Sequence, residues 1–125
     1  MARILVVDDD PDFVEITRTI LLASGYGVST AASGEEALES MRREPPDLVL
    51  LDVMMSSVLD GVNVSHAMSA DPILKGIPIV MLSSIASSPS AGMFPTDEYL
   101  PIDAWLSKPV QPNELLAKVS RYVKK

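Results

Sequence analysis

The sequence contains no cysteine, which excludes a disulfide framework and a thiolate metal site. His66 is the only histidine. It is read as a surface or partly packed side chain of a third helix, not as a phosphotransfer or metal group. Long apolar runs are also missing. The strongest, residues 4–7 and 48–51, hold four residues each, whereas a membrane-spanning helix needs roughly 20. A secretory leader needs a longer apolar stretch and a small-residue cleavage site, so none is expected behind Arg3, and a cytoplasmic location is the simplest fit. Clustered basic charge is absent as well. Ten Lys and Arg stand against 17 Asp and Glu, a formal net charge of −7. Phosphate neutralisation needs grouped Lys and Arg, so direct nucleic-acid binding is not expected. No linker, low-complexity tract or internal repeat interrupts the chain. Its 125 residues are the size of one domain, so residues 1–125 are read as a single unit.

What is present is a regular alternation. Ile4-Leu5-Val6-Val7 is a short, partly β-branched apolar run stopped by acids, the pattern of a buried strand. From Pro11 the period changes. Phe13, Ile16, Ile20 and Leu21 fall at i, i+3, i+7 and i+8, which predicts an amphipathic helix with these residues inward, ended by Ser24-Gly25. Tyr26, Val28 and Thr30 alternate as a second strand. Ser33 with Glu36 is a capping-box pattern and opens a helix that buries Ala37, Leu38 and Met41 before Pro45-Pro46. Strands are expected at Leu48-Val49-Leu50-Leu51, Ile79-Val80-Met81-Leu82 and Ala104-Trp105-Leu106. Asp60 caps a helix that runs to about Ala70, and Met68 and Met81, like Met41, fit core positions. Pro112 opens the closing helix, whose inward residues are Leu115, Leu116, Val119 and Val123. Its Lys118, Arg121, Lys124 and Lys125 form a basic patch. Favourable charge at a helix C-terminus explains that patch; docking of an acidic partner surface is the alternative. A helix is also due within residues 85–103, but Pro89, Gly92 and Pro95 predict a short or broken one and a long loop.

Strands alternating with helices imply βαβ units and a parallel sheet covered on both faces. The expected fold is therefore α/β: a flavodoxin-like, doubly wound five-stranded parallel sheet of strand order 2-1-3-4-5. In such sheets ligands bind outside the carboxyl ends of the strands. Asp8 and Asp9 follow the first strand, Asp52 the third, Ser83 the fourth and Lys108 the fifth. Each alone has a plainer reading: a strand-end Asp as a helix cap, Ser83 as a turn residue, Lys108 as a solvated charge. Asp8, Asp9, Asp10 and Asp12 together could mark an exposed acidic turn. All five strand-end groups at one sheet edge would make a different object. Three carboxylates there need positive charge, and Mg²⁺ suits oxygen ligands of this kind. The cation, the ammonium and the hydroxyl could hold a phosphoryl group, with a carboxylate as nucleophile. Asp52, on the central strand, is the candidate.

The motifs VVDDDP (6–11), LLDVMM (50–55), Asp60-Gly61, PIVMLSS (78–84) and WLSKP (105–109) resemble those of response-regulator receiver domains, and the likeness covers essentially the whole chain. The resemblance implies a phosphoacceptor switch of two-component signal transduction. Asp52 is then the phosphoacceptor. Mg²⁺ is held by Asp9 directly, by Asp8 through water, by Asp52 and by the Met54 backbone carbonyl. Ser83 and Lys108 contact the phosphoryl group, Lys108-Pro109 is a candidate cis bond, and Trp105 stands at the aromatic switch position. The implied phosphodonor is a sensor histidine kinase or a phosphotransfer protein, and the chain is not a turnover enzyme. The downstream partner is not specified.

Several positions depart from the family pattern. The loop from Asp52 to Asp60 is one residue longer, Ser56 replaces a usual Pro, Ser84 replaces a smaller residue, and Trp105 stands where Tyr or Phe is commoner. The segment 85–103 is longer and richer in proline, which puts the usual partner surface in doubt. Met54 and Ile85, at the positions that tune hydrolysis, cannot orient a water, so slow self-dephosphorylation is expected. Two other readings stand beside this one. One is a receiver-like module that binds partners without phosphorylation, against which stand the five intact site residues. The other is a flavin-binding flavodoxin-like protein, in which Asp8-Asp9-Asp10 would repel the flavin phosphate.

Overall fold

A computed structural model describes residues 2–52, 64, 66–83, 104–107 and 110–123. The elements are β1 (Arg3–Val7), α1 (Pro11–Ala23), β2 (Gly27–Ala31), α2 (Gly34–Arg43), β3 (Leu48–Asp52), β4 (Ile79–Ser83), β5 (Ala104–Ser107) and α3 (Pro112–Tyr122). Helical backbone also occupies residues 66–69, between β3 and β4. The five strands are all parallel, in the order β2-β1-β3-β4-β5. This is the doubly wound order expected from the alternation.

The apolar runs are continuous because both sheet faces are covered. Leu5, Val7, Val49, Leu51, Ile79 and Met81 pack with Ala37 and Met41 of α2 and with Val64, Met68 and Leu74. Their neighbours Ile4, Val6, Leu48, Leu50, Val80, Leu82 and Leu106 pack on the other side with Leu21 of α1 and with Leu115 and Val119 of α3. Successive strand residues point to opposite faces, so a run with no polar alternation is what a two-sided sheet requires.

Helix ends follow local chemistry. Ser33 caps α2, its hydroxyl accepting from the Glu36 N–H at 3.2 Å. Glu35 and Glu36 lie in its first turn and Arg42 and Arg43 in its last, each sign opposing the helix dipole. α1 ends on Gly25, whose φ of 95° places it in the left-handed region that glycine enters without steric cost. The Gly25 N–H donates to the Leu22 carbonyl and the Tyr26 N–H to that of Leu21. That pair of bonds is the Schellman arrangement, and its usual apolar contact is supplied by buried Leu21 and Tyr26.

One inward assignment is corrected. Ile16 is 61% exposed, whereas Thr17 is buried. At 100° per residue the buried arc of α1 is centred near Thr17 and Leu21, with Phe13, Val14 and Ile20 partly buried around it. Ile16 lies a full residue step away from that centre. A buried threonine, invisible to an apolar count, sets the rotation of the helix. Tyr26 precedes β2 instead of belonging to it, yet it is buried. His66 is exposed and Met41, Met68 and Met81 are buried, as expected. The expected Asp60 cap, the broken helix within 85–103, Lys124 and Lys125 lie outside the described residues.

Candidate functional site

The parallel register brings the strand ends to one edge. Val7 of β1 pairs with Leu51 of β3, so Asp8 and Asp52, one residue further along each strand, emerge side by side. Asp52 is itself the last residue of β3 and pairs with Leu82 of β4. Ser83 ends β4 and pairs with Ser107 of β5. The backbones at Asp8, Asp52, Ser83 and Ser107 thus line the carboxyl edge of four adjacent strands.

Carboxylate oxygens of Asp8, Asp9 and Asp52 all lie within 4.8 Å of one another. Among the described residues, no other His, Asp or Glu side chains form such a group. Asp8 and Asp52 are buried, at 2% and 5% exposure, and Asp9 is exposed. At an effective dielectric of about 20, two full charges at this separation repel by about 3 kcal/mol. Sequence order alone does not reveal which of the adjacent acids turns inward. Here the main chain decides: the Asp8 N–H continues the sheet ladder by donating to the Ala31 carbonyl at 3.1 Å.

The turn that follows is built by Asp10. Its N–H donates to Asp8 Oδ1 at 2.9 Å. Its own Oδ1 accepts from the N–H groups of Asp12 at 3.0 Å and Phe13 at 3.4 Å, capping α1. In the sequence Asp10 is one acid in the run Asp8, Asp9, Asp10 and Asp12, with nothing in that run to mark it as the cap. An Asp immediately before a Pro that opens an amphipathic stretch was the available signal.

Trp105 pairs with Met81, two residues before the Ser83–Ser107 pair. Lys108 directly follows Ser107 but, with Met54, Ser56, Ser84, Ile85 and Pro109, lies outside the described residues. The donor set of Asp8, Asp9 and Asp52 fits a hard divalent cation. All its atoms are oxygens, it is compact, and it places two buried negative charges where a cation would compensate them.

A doubly wound parallel sheet with an acidic cluster at the carboxyl end of its central strands defines an α/β protein with a candidate cation site at that edge. The family described as "Response regulator receiver domain" matches residues 4–120. The chain belongs to the response regulator receiver domain family. It is 36% identical over 121 residues to the DNA-binding response regulator MtrA of Mycolicibacterium smegmatis, an alignment covering 94% of this chain and 48% of that protein. The chain thus spans about half the length of the curated relatives it matches. Among solved structures, the chemotaxis response regulator CheY4 of Vibrio cholerae superposes with a TM-score of 0.85 at 32% identity, covering 98% of this chain and 99% of that one. The N-terminal domain of a response regulator receiver protein from Methanoculleus marisnigri superposes with a TM-score of 0.73 at 35% identity, covering all of this chain and 98% of that one. The function that follows is that of a phosphoacceptor signalling switch of two-component systems.

Proposed function

We propose that residues 1–125 act as one receiver unit with Asp52 as the phosphoacceptor, Asp8, Asp9, Asp52 and the Met54 carbonyl as the Mg²⁺ ligands, and Ser83 and Lys108 as the phosphoryl-binding pair. The observation that carries this reading is the convergence of three carboxylates within 4.8 Å at the end of the central strand. An Asp52 carboxylate oxygen attacks the phosphorus of a phosphohistidine donor. The new O–P bond forms as the N–P bond breaks, and the imidazole leaves as the neutral ring after taking up a proton. Bound Mg²⁺ supplies positive charge against the phosphoryl oxygens. Burial of Asp8 and Asp52 keeps bulk water from screening that charge. Lys108 adds a second positive charge, and the Ser83 hydroxyl donates to a phosphoryl oxygen. Hydrolysis returns Asp52 to the carboxylate and releases inorganic phosphate, so the chain is both acceptor and phosphatase of itself, not a turnover enzyme.

The donor is a sensor histidine kinase or a phosphotransfer protein. Phosphorylation biases a two-state element near Ser83 and Trp105 and so changes partner binding. The acidic balance of the chain, −7, argues that its partners are proteins and not nucleic acid. Among the described residues no helix is long and apolar enough to cross a membrane; the proposed location is the cytoplasm.

Incubating the chain with acetyl phosphate should add one phosphoryl group by intact mass, and only when Mg²⁺ is present. Absence of labelling, together with failure to bind Mg²⁺ or beryllofluoride, would instead support a phosphorylation-independent interaction module. The lifetime of the phosphorylated form provides a second test. Met54 cannot orient the attacking water, so decay should be slow, and Met54→Asn should speed it by supplying an amide that can position that water. An unchanged decay rate would remove Met54 from the account.

A further inference from the structure

The bonds at the β1–α1 turn form a chain from the start of the helix to the buried carboxylate. The N–H groups of Asp12 and Phe13 are held by the Asp10 side chain. The Val14 N–H donates to the Asp10 carbonyl at 3.1 Å. Asp10 is thereby fixed in an extended conformation, φ −91° and ψ 105°, which points its own N–H at Asp8 Oδ1. We infer that Asp10 is a positioning residue for the cation site, acting through its cap geometry on the orientation of Asp8. The inference rests on the metal-dependent reading proposed above.

The physical argument separates geometry from charge. Asp10 is exposed, so its own charge is screened by solvent and salt. Its cap bonds are not replaceable by an alanine. Without them the first turn of α1 loses its side-chain acceptor, and the direction of the residue-10 N–H is held only by the Val14 bond to the residue-10 carbonyl and by Pro11, and so less narrowly. The bond from the residue-10 N–H to Asp8 Oδ1 is then looser, and Asp8, with its other interactions kept, is held less firmly in the orientation that places it within reach of Asp9 and Asp52. Groups that orient metal ligands in this way commonly change metal affinity by ten- to a hundredfold when removed.

The test is Mg²⁺ titration calorimetry on the full chain, with thermal unfolding in EDTA measured in parallel. Asp10→Ala should bind Mg²⁺ about tenfold more weakly. Asp10→Ser and Asp10→Asn, which retain a capping acceptor, should stay within about twofold to threefold of the wild type. Ser33→Ala is the control: it removes the corresponding cap of α2 and should lower the unfolding temperature comparably while leaving Mg²⁺ affinity unchanged. Three results would overturn the inference alone, with wild-type binding intact: normal affinity in Asp10→Ala, equal weakening in Asp10→Asn, or equal weakening in Ser33→Ala. A wild-type chain that does not bind Mg²⁺ would overturn the metal-dependent reading and the inference together.

Discussion

Replacing Asp52 with Asn should abolish phosphoryl acceptance and at the same time make the metal-free protein more stable. Loss of acceptance follows from chemistry, because an amide is not a competent nucleophile toward phosphorus and the Mg²⁺-dependent mass increase disappears. The stability effect follows from crowding. Asp52 and Asp8 are buried, and their carboxylate oxygens lie with those of Asp9 inside 4.8 Å. Neutralising one of three carboxylates removes two repulsive pairs; set against the other interaction that Asp52 makes, and after relaxation and screening, the expected net gain is about 1 kcal/mol. Urea unfolding in EDTA measures it. Added Mg²⁺ should reverse the order: a ligand that binds only the folded state stabilises it by about 2.7 kcal/mol at a hundred times its dissociation constant. The variant, having lost a ligand, gains less. If Asp52→Asn were instead less stable than the wild type in EDTA, Asp52 would be held by an attraction stronger than its repulsion from Asp8 and Asp9.

The two levels at which this site can be read from sequence differ in kind. That Asp8, Asp9 and Asp52 meet was legible, because a parallel sheet puts every strand's carboxyl end on one edge and the apolar runs mark where the strands stop. How they meet was not. Nothing in Asp8-Asp9-Asp10 distinguishes the buried carboxylate, the exposed one and the helix cap; that division comes from the ladder bond to Ala31 and from the turn into α1. The same holds for packing. The sheet residues were legible as core because both faces are covered and every position in the run is inward for one face or the other. α1 offers only one covered face, so its rotation matters. Counting apolar residues turned it toward Ile16, where the fold buries Thr17. A β-branched residue with a small polar group fills that position beside Leu21, and no hydrophobic pattern registers it.

That difference in legibility has a measurable consequence in the relative cost of two alanine substitutions. Leu50 is fully buried at the middle of β3, paired with Val6 on one side and Val80 on the other, in the cluster that contains Leu21, Leu115 and Val119. Leu50→Ala removes three methyl or methylene-sized groups from a site that strands on both sides prevent from collapsing. It should cost about 3 to 4 kcal/mol, a large share of the about 5–15 kcal/mol that stabilises a typical domain. Ile16→Ala deletes a comparable apolar volume from a side chain that is 61% exposed, and should cost no more than about 0.5 kcal/mol. Paired urea titrations in EDTA, with equal slopes for wild type and both variants, give the two values on one scale. If Ile16→Ala approached the cost of Leu50→Ala, α1 would be turned toward the sheet by nearly a third of a revolution. Thr17 would then leave the core, and the cap that ties Asp10 to Asp8 would have to be rebuilt.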